Sequence, residues 1–274
     1  MAIYDISGTE LSAVYDVNGN RLSQAYDING NPLLSTNTIT VMTYNIQYFG
    51  GRNSNQAMQE RIISTYNPDI VGLQELGGGS GMPALGAVLF ADYPYQFIGS
   101  DTNRSAIVSK IPLENPIFTA YAVKASETRG YEKAYITVGD KRIAFFNTHL
   151  EVKGGNPHIA QAKELFDELQ TETTFIVTGD FNVECHSTSD AEYTSVVKQF
   201  IDAGYHLSNW TSKTGFVDTW FNGVTVDSSS YVCPCDNIIT SADISISSIV
   251  YDPIKLEYQS GAIDHIAVIA ELLI

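Results

Sequence analysis

Two side chains set two apart, Asp180 and Asn182, close the run Phe175-Ile-Val-Thr-Gly-Asp-Phe-Asn182, and an acid and an amide at the end of an apolar strand can serve one ligand. An extended chain past Gly179 sends both side chains to one face. The same pattern, an apolar segment that adjoins an Asn, Glu, His or Asp, recurs at Val41–Asn45, Ile70–Glu75, Ile143–His149, Asp236-Asn237 and Asp264-His265. One rim that gathers carboxylates, amides and two histidines is expected from this recurrence. Glu75, followed by Gly77-Gly-Gly-Ser-Gly81, offers an oxygen to a hard cation beside a loop that lets backbone approach an anion. Asn45 adds a carbonyl oxygen or holds a water.

His149 and His265 end or adjoin strand patterns, whereas His158, His186 and His206 read as plain surface residues. Asp264 precedes His265 directly, and neighbours on a strand face opposite ways, so the carboxylate that orients His265 must come from elsewhere; Asp236 is the candidate. An imidazole whose tautomer a carboxylate fixes clamps phosphate or acts as a general acid. Asp180 would orient and deprotonate a water, Asn182 would hold that water or the phosphate, and a divalent ion with the histidines would take the developing negative charge. These parts spell metal-assisted hydrolysis of a phosphoester. No Ser or Cys lies in an elbow motif, so a covalent intermediate is not indicated.

The elements that must hold these groups alternate from Thr38 onward. Strands are expected at 38–45, 69–75, 95–99, 104–109, 115–123, 131–138, 142–149, 174–180, 216–221, 236–240, 245–251 and 264–273, and helices at 54–66, 82–92, 157–171 and 189–203. Consecutive strands mixed with helices point to an α/β or α+β sandwich of two sheets rather than one parallel sheet.

Residues 1–35 are set apart by a repeat, and a catalytic domain is expected over 36–274. Tyr4-Asp5, Tyr15-Asp16 and Tyr26-Asp27 recur every 11 residues, with Gly8, Gly19 and Gly30 and then Leu11, Leu22 and Leu33 in step. Asn18-Gly19 and Asn29-Gly30 are hairpin signals, so each unit reads as strand, tight turn and strand. A unit this small cannot bury its apolar face alone. It is expected to join copies of the chain or attach the chain to a larger particle.

The formal charge of −16, from 15 Lys and Arg against 31 Asp and Glu, argues against tight metal-free DNA binding, which normally uses a basic face. It leaves room for an enzyme whose divalent ions supply the positive charge. No apolar run approaches the roughly 20 residues of a membrane span, and Met1 to Asn20 lacks the pattern of a signal peptide; the compartment stays unassigned. The three cysteines, Cys185, Cys233 and Cys235, read on composition alone as buried free thiols, with a Cys185–Cys233 bridge closing a loop of about 48 residues as the alternative.

Thr43-Tyr-Asn-Ile46, Gln74-Glu75, Asn147-Thr-His-Leu150, Gly179-Asp-Phe-Asn182, Asp236-Asn-Ile-Ile239 and Asp264-His265 together resemble the ordered motifs of the endonuclease/exonuclease/phosphatase superfamily, the deoxyribonuclease I-like fold. The resemblance spans about residues 38 to 274. It implies a four-layer α/β/β/α sandwich of two mixed sheets and hydrolysis of a phosphodiester or phosphomonoester with Mg²⁺, or with Mn²⁺ or Ca²⁺ in its place. It further implies Asn45, Glu75 and Asp264 near the metal, His149 and His265 on the scissile phosphate, and Asp180 and Asn182 at the nucleophile. Asp236 then partners His265, and Arg129 or Tyr131 contacts substrate. The positions of Cys185 and Cys233 are similar to a disulfide of that family. Gly77 stands where deoxyribonuclease I carries an arginine for the minor groove, so a nuclease-like phosphodiesterase, a sphingomyelinase-like or inositol-phosphatase-like phosphoesterase, and a non-catalytic member of the fold all remain open.

Overall fold

Side chains that alternate between two apolar environments along a strand require that both faces of the sheet be covered. On the strand Thr38–Asn45, Ile39 and Val41 enter one apolar cluster and Met42 and Tyr44 another. Along Lys141–His149, Ile143 and Phe145 go one way and Ala144 and Phe146 the other. Three clusters result: one between the two sheets, and one between each sheet and its helices. They fill the three gaps of a four-layer α/β/β/α sandwich.

A computed structural model describes residues 24–26, 32–35, 37–47, 56–77, 92–100, 102, 104–125, 127–152, 156–221, 231–252 and 264–274. The strands, in chain order, are β1 (Gln24–Tyr26), β2 (Pro32–Ser35), β3 (Thr38–Asn45), β4 (Ile70–Gln74), β5 (Tyr95–Ile98), β6 (Ala106–Ser109), β7 (Glu114–Ala120) and β8 (Gly130–Val138). They continue as β9 (Lys141–His149), β10 (Phe175–Asp180), β11 (His206–Leu207), β12 (Trp220–Phe221), β13 (Tyr231–Cys233), β14 (Asp236–Thr240), β15 (Ser245–Tyr251) and β16 (Val268–Leu273). The helices are α1 (Gln56–Tyr66), α2 (Asn156–Leu169) and α3 (Lys198–Asp202), the last entered through a π-helical turn, Tyr193–Val197.

One six-stranded sheet runs β11-β14-β10-β9-β8-β7 and the other β15-β16-β3-β4-β6-β5. Each sheet is antiparallel except for one interior pair, β9 with β10 and β3 with β4. Parallel neighbours end at the same edge of their sheet. His149 is therefore in register with Asp180, and Asn45 with Gln74.

Helix α2 begins with Pro157 in its first turn, where a missing N–H costs nothing. It buries His158, Gln161, Ala162, Leu165 and Leu169, a stripe at helical spacing. His158 is thus a buried residue rather than a surface one. Its Nε2 lies 2.8 Å from the carbonyl of Phe181 and ties the helix to the loop that follows Asp180. Gln59 of α1 does the same for the other sheet, donating to the carbonyl of Ile46 just past Asn45 at 2.5 Å.

Several sequence expectations shift. The strand expected at 216–221 is only β12, that expected at 264–273 begins at Val268, and the helix expected at 189–203 is a π turn followed by a short α-helix. The short strands β11 and β13 carried no signal of their own, being made by pairing with β14 and β12. Residues 82–91 of the helix expected at 82–92 and the glycine loop after Gly77 lie outside the described residues, as do the first two 11-residue units. In the third, β1 and β2 pair antiparallel. No helix among the described residues is long and apolar enough to cross a membrane.

Candidate active site

The two parallel pairs deliver the chemistry. In one sheet Asp180 closes β10 between His149 of β9 and Asp236 of β14, its partners in register on either side. Cross-strand neighbours in register share a face, so these three side chains stand together. In the other sheet β3 ends at Asn45, and Glu75 follows β4 directly. Asn45 reaches across the gap between the sheets, and its Nδ2 donates to Asp180 Oδ2 at 2.9 Å.

That one carboxylate oxygen is the focus of the site. His149 Nε2 lies 3.4 Å from it and His265 Nε2 3.5 Å, and all four side chains are buried. The other oxygen, Asp180 Oδ1, accepts the backbone N–H of Asn182 at 2.9 Å. Asn182 lies at φ +51°, so the chain turns back on itself after Asp180 instead of running on extended. Asp180 and Asn182 therefore do not project side by side; the Asn182 side chain donates to the carbonyl of Leu150 and ties down the loop after His149. Glu75 at φ +54° is the second site residue in the left-handed region, where an acid side chain is strained.

His265 Nδ1 donates to Asp236 Oδ2 at 2.8 Å. Burial disfavours the imidazolium, but the carboxylates of Asp236 and Asp180 outweigh that and hold His265 well above the usual histidine range. His149 is the reverse case: burial, with Arg129 and His265 nearby, drives it well below that range and leaves it neutral. Burial pushes the Asp180 carboxyl up to about 7 against the pull of His265.

Behind the site, an amide network fills the space between the sheets. Asn147 donates to Glu132 Oε2 at 2.9 Å and to the carbonyl of Leu73 at 3.0 Å, and its Oδ1 accepts from Gln74 at 2.7 Å and from Thr178 at 3.1 Å. Gln74 precedes Glu75 and Asn147 lies two before His149, so this buried network sets the height at which both site residues leave their strands.

Asp264 Oδ2 accepts from Gln47 Nε2 at 2.9 Å and from the indole of Trp220 at 3.2 Å, while its Oδ1 is buried with no partner among the described residues. Neither Gln47 nor Trp220 was legible as a site residue. Glu75 is raised by burial, which His265 opposes and the Asp264 carboxylate reinforces. Glu75 and Asp264, two partly buried carboxylates with the unsatisfied Asp264 Oδ1, could hold a hard divalent cation, while the Asn45 amide turns its Nδ2 to Asp180 and its Oδ1 to the backbone N–H of Gln47. A second group that could hold an ion, Asp180, Asp236 and His265, has ligand atoms within 4.8 Å of one another.

Two expectations, for Tyr131 and for the disulfide, are corrected. Tyr131 is a core residue: its ring packs against Tyr121 and Phe146 in the cluster under α2, on the opposite face of the sheet from the inter-sheet core. Arg129 is 4% exposed, with its Nη1 2.6 Å from His149 Nδ1, its Nη2 2.9 Å from Glu127 and its Nε buried without a partner among the described residues. The disulfide joins Cys233 to Cys235, whose Cα atoms are 5.3 Å apart, and Cys185 is a free buried thiol. The Cys185 Sγ points instead to the carbonyl of Ser187.

A sandwich of two mixed sheets, each with one parallel pair ending in carboxylates, amides and an imidazole, defines the deoxyribonuclease I-like class, whose members hydrolyse phosphoester bonds. The sequence model of the Endonuclease/Exonuclease/phosphatase family matches residues 42–258, and the chain belongs to that family. Among solved structures it is similar to Danio rerio TDP2 complexed with a single-strand DNA product, at TM-score 0.68 and 18% identity over 86% of this chain and 99% of that one. It is also similar to the 3'-5' exonuclease NExo of Neisseria meningitidis, at TM-score 0.64 and 18% identity over 86% and 100% of the two chains. An endonuclease/exonuclease/phosphatase from Bacteroides vulgatus gives TM-score 0.65 at 18% identity, over 86% and 98%. No curated protein matches the sequence.

Proposed function

We propose that the chain is a divalent-metal-dependent phosphodiesterase of nuclease-like type that uses a water nucleophile. The observation that carries this reading is the convergence on Asp180 Oδ2 of Asn45, His149 and His265, with Asp236 behind His265. Asp180, with a carboxyl poised at about 7 and fixed by two hydrogen bonds, is suited to accept a proton from water near neutral pH. The His265–Asp236 pair holds a positive charge against the phosphate, and neutral His149 offers it an N–H. Glu75, Asp264 and Asn45 would hold the cation. When bound, Mg²⁺ or Mn²⁺ supplies positive charge to the phosphate oxygens.

The second reading, a phosphoesterase acting on a small or lipid diester, is favoured by the formal charge of −16 and by Gly77. A substrate panel separates them: plasmid DNA, single-stranded DNA, RNA, a bis-aryl phosphodiester and sphingomyelin, each with Mg²⁺ and with chelator. Chelator-sensitive cutting of nucleic acid supports the nuclease reading, turnover of only the diester or lipid moves the assignment to the second, and no turnover of any substrate refutes both. Residues 1–35 are proposed to attach the enzyme to copies of itself or to a larger particle. Light scattering should show a smaller assembly when they are deleted, and an unchanged mass removes the self-association.

A further inference from the structure

The two site histidines are oriented by groups of opposite sign. His265 has a carboxylate at Nδ1, whereas His149 has a guanidinium, with Arg129 Nη1 at 2.6 Å. A guanidinium has five N–H donors, no acceptor, and does not deprotonate in proteins. At that separation the contact is a hydrogen bond only if His149 Nδ1 presents its lone pair. The single proton of the ring then sits on Nε2, the nitrogen that faces Asp180 Oδ2 at 3.4 Å and Glu75 Oε1 at 3.9 Å. A proton on Nδ1 would instead set two buried N–H groups against each other.

We propose that Arg129 is a positioning residue: it locks His149 as the Nε2–H tautomer and aims that N–H at the reacting phosphate. The Arg129 Nη2 is anchored by Glu127 at 2.9 Å, and the residue is buried beside His149. Its position follows from the fold, since it immediately precedes β8, whose Tyr131 pairs in register with Thr148, the neighbour of His149. The two histidines therefore divide the work. His265 turns its Nδ1 to a carboxylate, and His149 turns its Nδ1 to a guanidinium. The catalytic consequence rests on the phosphodiesterase reading; the tautomer does not.

The test is ¹⁵N-detected NMR of the His149 imidazole in metal-free wild type and in Arg129→Met, with kcat and KM for the bis-aryl phosphodiester. The expected wild-type signature is a single neutral form protonated at Nε2. In Arg129→Met both tautomers should appear, and kcat should fall about 10²-fold, the size expected for loss of one aimed donor, with KM within about twofold. An Nδ1–H or doubly protonated ring in wild type overturns the proposal, as does an unchanged tautomer in the variant. A raised KM with unchanged kcat would make Arg129 a substrate contact. If Arg129→Met does not fold, the wild-type spectrum alone decides. If wild type shows the Nε2–H form yet hydrolyses no phosphoester, the functional reading fails and the orientation of His149 stands.

Discussion

Replacing Asp236 with asparagine removes one charge and almost no volume. The amide oxygen of the substituted side chain can still accept the Nδ1–H of His265, so the ring keeps its place, but the imidazolium loses the carboxylate that lies 2.8 Å away. Two unit charges about 4 Å apart at an effective dielectric near 20 interact by about 4 kcal/mol, or about three decades in rate if all of it is expressed in the transition state. Asp180 Oδ2 remains 3.5 Å from the other ring nitrogen and retains part of that stabilisation. Asp236→Asn should therefore lower kcat by about 10²- to 10³-fold, with KM within about twofold. Steady-state hydrolysis of a bis-aryl phosphodiester, alongside thermal denaturation to confirm the fold, reads both. A kcat within about threefold of wild type in a variant that melts normally would refute the assignment of His265 as the charge-bearing group.

Other outcomes follow from the same geometry. Gly72→Ala would drive a methyl into Thr178 and Asn147 in the network between the sheets, and should cost about 3 kcal/mol in urea unfolding, an overpacking penalty. Denatured, non-reduced protein should titrate one free thiol and reduced protein three; none or three before reduction would contradict the Cys233–Cys235 bridge. His149 binds fewer protons folded than unfolded once the pH drops below about 6.5, so it destabilises the fold progressively as the pH falls. His265, held high, contributes its stability fully below about 6.5 and loses it as the pH rises through its folded value. His149→Gln should accordingly shallow the acid side of the stability curve, and a steeper acid side would contradict the neutral assignment.

The strand ends were readable because each couples an apolar run to a polar exit, and that coupling places Asn45, Glu75, His149, Asp180 and Asp236 from pattern alone. The two sheets were readable from consecutive strands mixed with helices, and the four layers came from the resemblance to the superfamily. What sequence could not give was direction. Arg129 and Tyr131 are two apart, yet Arg129, which precedes β8, turns to His149, while Tyr131, inside β8, enters the core under α2. His158 sits in a polar stretch at a helix start and reads as exposed; it is buried because the loop after Asp180 needs a partner for the Phe181 carbonyl. Asn182 reads as a continuation of its strand, but the hydrogen bond from its own backbone to Asp180 turns the chain. Gln47 and Trp220 come to Asp264 from distant parts of the chain, and no local pattern marks such contacts.

The most direct test of the central claim is hydrolysis of the bis-aryl phosphodiester by wild type and Asp180→Ala, each with Mn²⁺ or Mg²⁺ and again with excess chelator. The predicted result is turnover by wild type that the chelator abolishes and that Asp180→Ala lacks at every metal concentration although it folds. Equal turnover by Asp180→Ala, or wild-type turnover that survives the chelator, would contradict it.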